Sequence, residues 1–557
     1  MRRLLPWLVL LALRPVGAMD FADRFCWLMS NLGNDQVVEP AIAVLAKAKA
    51  AGCTGVMLAD WPISHQKMAS PTYPANVARF LTKARRLGLK VIPCVFDVGY
   101  SNGLLKNDPN LASGLPVREA EFVVKDGLAA PQLSPGAKLL NGDLRQARGD
   151  KLTGWAFQDQ PGATTFVEPA GGPGGLPAVR FEQFANPARN GRITQTIKVE
   201  PFHAYHLSFQ VRTEAFERAK DVRVAVLSDG GRFEHNYTDL GLAPTTPWRR
   251  CHIVFNSLTA TEVTIYLGVW GGRGGKLWFS DIRLEPAGLV NIIRRDLCPL
   301  KVVGADGTVY QEGRDFEPIV DPKLGRVAGA PGHFKPWHGP PVLKLTPNSL
   351  IKDGQVLRLS YFQPAIIHQD DVPVSIEDPK VFDLFREEIA GAVKLFDAPG
   401  YMMSYDEWRC GGWETDLDRP AGQKLAAHVK RAAQLIREAA PGAAIYVWND
   451  LFDPYHNAVK SYYLVNGSLE GSWEGLDKDI VIANWNLGKF APSAQFFADR
   501  GHKQVLCGYY DAPPQNVLPL LGLAAKIGGV TGLMYTTWQA NYGDMGRYFE
   551  LAREFKP

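Results

Sequence analysis

Tyr401-Met402-Met403-Ser404-Tyr405-Asp406-Glu407-Trp408-Arg409 decides how this chain is read. It opens as an apolar run fit for a buried strand and ends in two adjacent carboxylates, an indole and a guanidinium. A strand that turns polar only at its carboxyl end is what a barrel enzyme needs, because its reacting groups sit at that rim. Two neighbouring carboxylates cannot both ionise cheaply in a confined apolar cleft. One of the pair is expected to hold its proton to higher pH and so serve as a proton donor.

Working outward, short apolar runs alternate with longer amphipathic segments. Strands are expected at 25–30, 54–59 and 90–96, with helices at 41–51 and 74–87 between them. After a long interruption the pattern returns with a helix at 381–396, where Phe382, Phe385, Ile389, Val393 and Phe396 recur at helical spacing. Further strands are expected at 401–405, 444–448, 479–483, 504–507 and 532–537, separated by helices. Strand–helix alternation indicates a parallel sheet, and three strands before the interruption plus five after it make a (β/α)8 TIM barrel. No glycine-rich phosphate loop follows the first strand, which argues against an open dinucleotide-binding sheet.

From about 141 to 286 the helical periodicity disappears. Alternating runs such as 205–212, 222–227, 252–255, 263–269 and 277–284, separated by Gly, Pro and Asn, predict an all-β sandwich. Asn141-Gly142-Asp143 with Gly154-Trp155, the stretch 195–205, Thr246-Pro247-Trp248-Arg249 and 277–282 resemble the jelly-roll carbohydrate-binding modules of bacterial glycosidases. That resemblance implies a structural calcium, with Asp143 and Asp281 as candidate ligands. The alternative is a sandwich that only packs on the barrel. The expected organisation is a signal peptide at 1–18, the first part of the barrel at 19–130, the inserted sandwich at 131–288, a small β and loop appendage at 289–350 and the rest of the barrel at 351–557. The run Leu-Arg-Leu-Ser-Tyr-Phe-Gln-Pro at 357–364 is expected to return the chain to the barrel.

Arg2 and Arg3, the apolar stretch 4–13 and Val16-Gly17-Ala18 form a secretion signal, which predicts a secreted or periplasmic protein. The apolar run is too short to span a bilayer, and no cysteine follows to carry a lipid anchor. The formal charge of +4 falls to about +1 without Arg2, Arg3 and Arg14, and no basic run is present, so no nucleic-acid partner is expected. The seven cysteines contain no Cys-x-x-Cys pair, so neither a metal site nor a disulfide framework is expected, although one bridge suits a secreted chain.

At the expected strand ends stand Asp60, Trp61, Asp406, Glu407, Arg409, Trp448, Asn449, Asp450, Trp485, Tyr509, Tyr510, Asp511 and Trp538. Indoles stack on the C–H face of a pyranose while Asp, Asn and Arg meet its hydroxyls, so an oligo- or polysaccharide is the expected substrate. A barrel with Asp-Glu closing its fourth strand and tryptophans after later strands resembles the family 20 β-N-acetylhexosaminidases. The likeness covers 25–98 and 357–557. It implies Glu407 as general acid/base and Asp406 as the residue that orients the substrate's 2-acetamido group, whose oxygen attacks the anomeric carbon. It also implies that Tyr509 or Tyr510 binds the acetamide, that Trp448, Trp485 and Trp538 line the pocket, and that no cofactor is needed. Ser404-Tyr405 stands where that family has Gly-Gly, and Asp97-Val98-Gly99-Tyr100 follows the third strand in place of its acidic and histidine motif. Two other readings compete. One is a two-carboxylate retaining glycosidase with Asp450, Asp511 or Glu474 as nucleophile. The other is a glycan-binding protein without chemistry.

Overall fold

The computed structural model describes residues 21–556, without Gln158, Ala328, Ala330 and Gln369 and without the side chain of Phe157. The expected signal peptide at 1–18 lies outside the described residues. Eight parallel strands close into a barrel in chain order. They are β1 (Asp23–Ser30), β2 (Gly55–Asp60), β3 (Lys90–Val95), β4 (Gly400–Met403), β5 (Ala444–Trp448), β6 (Val481–Asn484), β7 (Gln504–Tyr509) and β8 (Val530–Thr536). The ring closes where β8 pairs with β1, Gly532 opposite Asp23 and Tyr535 opposite Cys26.

The strands are apolar almost throughout because both faces are buried. Phe25, Trp27, Met57, Met402, Tyr446 and Met534 fill the barrel interior. Their neighbours Cys26, Leu28, Val56, Leu58, Tyr401 and Met403 point the other way, into the core shared with the helices. Those helices are α1 (Asp35–Ala51), α2 (Tyr73–Arg86), α3 (Lys380–Phe396), α4 (Ala421–Ala439), α5 (Phe490–Asp499), α6 (Val517–Ala524) and α7 (Met545–Glu554). Asn34 starts α1 by accepting the Gln36 N–H at 3.0 Å, and Gly52 stops it at φ 91°. Between β5 and β6 the described residues form short 3-10 turns and no α-helix.

Between β3 and α3 the chain leaves the barrel and builds two more bodies. Two five-stranded antiparallel sheets face each other over a core that includes Phe181, Phe209, Val226, Ile265 and Phe279. The strands at 204–214, 222–228 and 262–269 fall where the alternating runs placed them. Asp281, the expected calcium ligand, is engaged by the Arg250 guanidinium and by Arg283 at 2.9 Å, and Asp143 faces Arg145 at 3.7 Å.

The second body corrects the sequence reading. Val356–Pro364 does not return to the barrel, and 114–131 does not belong to the barrel's first part. Val356–Pro364 pairs antiparallel with Gly114–Lys125 in a six-stranded sheet that also holds Leu128–Pro131, Lys301–Gly304, Val309–Tyr310 and Leu343–Lys344. The reason lies in its period. Leu357, Leu359 and Tyr361 are buried while Arg358, Ser360 and Phe362 are less so, a one-sided alternation that suits an antiparallel sheet with one wet face. The buried side packs on Val117, Phe122 and Val124.

Candidate active site

β4 stops at Met403, and the chain then turns across the barrel mouth. Ser404 N–H donates to the Val95 carbonyl at 2.9 Å and Val98 N–H to the Ser404 carbonyl at 3.1 Å, which ties the exits of β3 and β4 together. Gly99 crosses so close that a Cβ there would lie 1.9 Å from the Asp406 carbonyl oxygen. Glu407 takes a left-handed φ of 47°, as do Phe96 at 63° and Tyr510 at 49° around the same mouth. Such backbone costs about 1–3 kcal/mol per residue and persists only where its surroundings enforce it. For Glu407 the enforcement is its N–H, which donates to Asp450 Oδ2 at 2.9 Å.

Asp406 and Glu407 open on a cavity of ≈ 620 Å³ walled by Trp27, Met29, Trp61, Trp448, Trp485, Tyr510 and Trp538, with Asp97, Tyr100, Asp371 and Ser404 on its polar side. The Trp27 ring lies 5.1 Å from Trp448 and 5.7 Å from Trp538, centroid to centroid. Trp485 and Tyr510 lie 19° from parallel, 6.2 Å apart. Trp61 and Trp538 form the rim, at 41% and 46% exposure. The cavity has the size of a small-molecule site, and its flat apolar walls with a few polar groups on one side suit a sugar ring.

The two acids differ in their surroundings. Asp406 is pushed well above the usual carboxylate range, first by burial and then by the like charges of Asp450, Glu407 and Asp97. Its protonated form is thereby favoured. Asp97 is raised to about 6 by burial, against a hydrogen bond from Ser404. Asp371 is raised to about 6 by burial and by Asp370. Glu407 instead meets partners. Its Oε2 accepts from the Tyr100 hydroxyl and pairs with Arg409 Nη2 at 2.7 Å, while Arg409 Nη1 donates to the Tyr100 oxygen at 2.7 Å.

Of the residues read from the sequence, Asp406, Glu407, Trp61, Trp448, Trp485, Tyr510 and Trp538 line the cavity, and Arg409 sits behind Glu407. The others are turned away. Asp60 is 5% exposed and accepts the Leu32 N–H at 2.7 Å, fixing the loop after β1. Asn449 is buried between Asp453 and the Trp485 N–H, at 2.8 and 2.9 Å. Asp450 accepts from Asn457 Nδ2 at 2.9 Å and Trp485 Nε1 at 3.2 Å as well as from Glu407, so its oxygens hold the wall in place. Tyr509 stacks on Tyr535 at 4.1 Å and bonds Asp544 at 2.8 Å. Asp511 accepts the Thr537 hydroxyl and the Trp538 N–H, anchoring the rim. Glu474 lies exposed in a 3-10 turn. Trp27, Met29, Asp97, Tyr100, Ser404 and Asp371 were not read as site residues. Asp97 was visible as a strand end, whereas Asp371 arrives from the far side of the insertion.

No family model and no curated protein matches the chain. Among solved structures, the chain is similar to TmCBM61 in complex with β-1,4-galactotriose at 19% identity, over 27% of this chain and 98% of that one, with a TM-score of 0.20. It is similar to the CBM22-1 xylan-binding domain of Paenibacillus barcinonensis Xyn10C at 11% identity, over 25% of this chain and 88% of that one, with a TM-score of 0.19. It is similar to the rhamnosidase from Novosphingobium sp. PP1Y at 11% identity and a TM-score of 0.31, over 93% of this chain but only 55% of that one.

Proposed function

We propose that this chain is a secreted or periplasmic glycoside hydrolase that takes a terminal or internal sugar of an oligo- or polysaccharide into the tryptophan-walled cavity. The observation that supports this reading is the opening of Asp406 and Glu407 side by side into that cavity, with the carboxylates named as alternative nucleophiles, Asp450, Asp511 and Glu474, engaged or facing elsewhere. The substrate is an N-acetylhexosaminide. Glu407 protonates the glycosidic oxygen, the leaving group departs, and the 2-acetamido oxygen bonds to the anomeric carbon. Asp406 accepts from the acetamide N–H and steadies the positive charge that ring closure puts on that nitrogen. Glu407, now a carboxylate, then takes a proton from the water that opens the ring. Proton transfer of this kind contributes about 10²–10⁴-fold.

This route needs the proton on Glu407 and the charge on Asp406, whereas burial and the neighbouring carboxylates oppose the charged form of Asp406. That observation favours one second reading, with the roles exchanged. Asp406 protonates the departing glycosidic oxygen while Glu407, held by Arg409 and Tyr100, bonds to the anomeric carbon as the glycosidic bond breaks. Water that gives its proton to the Asp406 carboxylate then displaces Glu407 from the sugar. The second route needs no acetamido group.

A panel of chromogenic N-acetylhexosaminides and plain hexosides, run on wild type, Glu407→Gln and Asp406→Ala, separates them. The first reading expects turnover of acetamido substrates alone and a loss of at least about 10²-fold in both variants. Turnover of plain hexosides at comparable kcat/KM transfers the roles to the second reading. Tight sugar binding without turnover of either class overturns both.

A further inference from the structure

The guanidinium that holds Glu407 is itself held by residues from three separate parts of the chain. Arg409 is buried, and its guanidinium carbon lies 5.5 Å from the Tyr100 ring centroid, 5.4 Å from Tyr237 and 5.3 Å from Tyr463. Tyr100 follows β3 and Tyr463 belongs to the loop between β5 and β6. Tyr237 belongs to neither. It lies in the inserted sandwich, between the strands Phe233–Glu234 and Thr246–Asn256.

The contact of Tyr237 with the barrel mouth is built from backbone as well as side chain. Tyr237 accepts the His368 N–H at 2.6 Å, and Asp239 N–H donates to the His368 carbonyl at 3.1 Å. The same segment then turns, with Ile367 and Asp371 exchanging backbone bonds at 2.7 and 3.0 Å, and delivers Asp371 into the cavity. The Tyr237 ring also meets Tyr463 edge-on at 5.2 Å and His368 at 4.9 Å. A sandwich whose only task was to capture polysaccharide at a distance would need none of this.

We propose that the inserted sandwich is a working part of the active centre, with Tyr237 as a positioning residue that fixes Arg409 and, through it, Glu407. The proposal rests on Glu407 being one of the reacting carboxylates. A ring face beside a desolvated guanidinium gives a directional attraction of ordinary cation–π strength, so its removal frees Arg409 to leave Glu407. Because Tyr237 does not line the cavity, its loss acts on the chemical step and not on sugar binding.

The test compares Tyr237→Ala and Tyr237→Phe in the full chain, by steady-state kinetics on the substrate found in the panel and by crystal structures of both variants. Tyr237→Ala is expected to lower kcat by about 5- to 30-fold with KM changed less than about 2-fold, and its structure to show Arg409 displaced from Glu407. Tyr237→Phe, which keeps the ring face and gives up only the hydroxyl's hydrogen bond to Tyr463, is expected to stay within about 3-fold of wild type and to retain the ion pair. Equal losses in both variants would overturn the proposal, as would a Tyr237→Ala structure with the Arg409–Glu407 pair intact. A wild-type protein that turns over no glycoside defeats the functional reading alone, since the structures still report whether Tyr237 holds Arg409.

Discussion

Replacing Gly99 by alanine adds one carbon at the tightest crossing in the candidate site. That carbon would sit 1.9 Å from the Asp406 carbonyl oxygen, 2.9 Å from the Glu407 carbonyl carbon and 3.0 Å from its oxygen. All three are backbone atoms, so no side chain can swing aside. Reaching even the shortest tolerable contact requires the two strand exits to part by about 1 Å, and a displacement of that size at reacting groups costs about 10²-fold in rate. The same overpacking costs about 1–3 kcal/mol of stability. Gly522→Ala is the matched control: it lies within α6, and a Cβ there meets nothing within 4 Å. It should leave kcat/KM unchanged and gain about 0.5–1 kcal/mol from helix propensity. The assay is kcat/KM on the chromogenic substrate, with circular dichroism confirming that each variant is folded. A folded Gly99→Ala protein within about 3-fold of wild type would refute the claim that this crossing sets the geometry of Asp406 and Glu407.

Two further outcomes follow from side chains already placed. Burial raises Asp60 from 3.8 to about 6, so the folded state binds a proton there more tightly than the unfolded chain does. Stability from this group is therefore fully present below about pH 4 and lost as pH rises through about 6, a swing of up to about 3 kcal/mol. Asp60→Asn keeps an acceptor for the Leu32 N–H without the charge, and should reduce the urea-midpoint dependence across that window, leaving the share due to Asp97 and Asp371; an unchanged slope would contradict it. Trp538 sits on the rim at 46% exposure, so Trp538→Ala should raise KM about 3- to 10-fold with kcat within about 2-fold. A fall confined to kcat would show instead that the rim shapes the reaction.

The barrel was readable because its strands are buried on two faces and its helices on one, and those periods are local. The sandwich was readable for the same reason. What local pattern could not carry was partnership. The run at 356–364 alternates on one side as an antiparallel strand does, yet nothing local names its partner at 114–125, which lies more than two hundred positions away. At the site, Asp406, Glu407 and four of the tryptophans were legible as strand-end residues. Asp60, Asn449 and Tyr509 stand at strand ends too, yet their side chains satisfy neighbouring loops, and a shift of one residue along a strand decides which way a side chain faces. Tyr100 could not be recognised alone, because its meaning comes from Glu407 and Arg409, more than three hundred positions later.

The interruption after β3 also sets an order of events during synthesis. Cys94 finds its neighbour only in Met402, and β1 finds its second neighbour only in β8, near the end of the chain. At ~5–20 residues per second, roughly 300 residues take about 15–60 s to emerge from the ribosome. For that interval the first three strands present bare hydrogen-bonding edges, while the sandwich and its companion sheet complete themselves first. Nascent chains arrested before Met402 should accordingly be protected from protease in the middle and cut readily near the start.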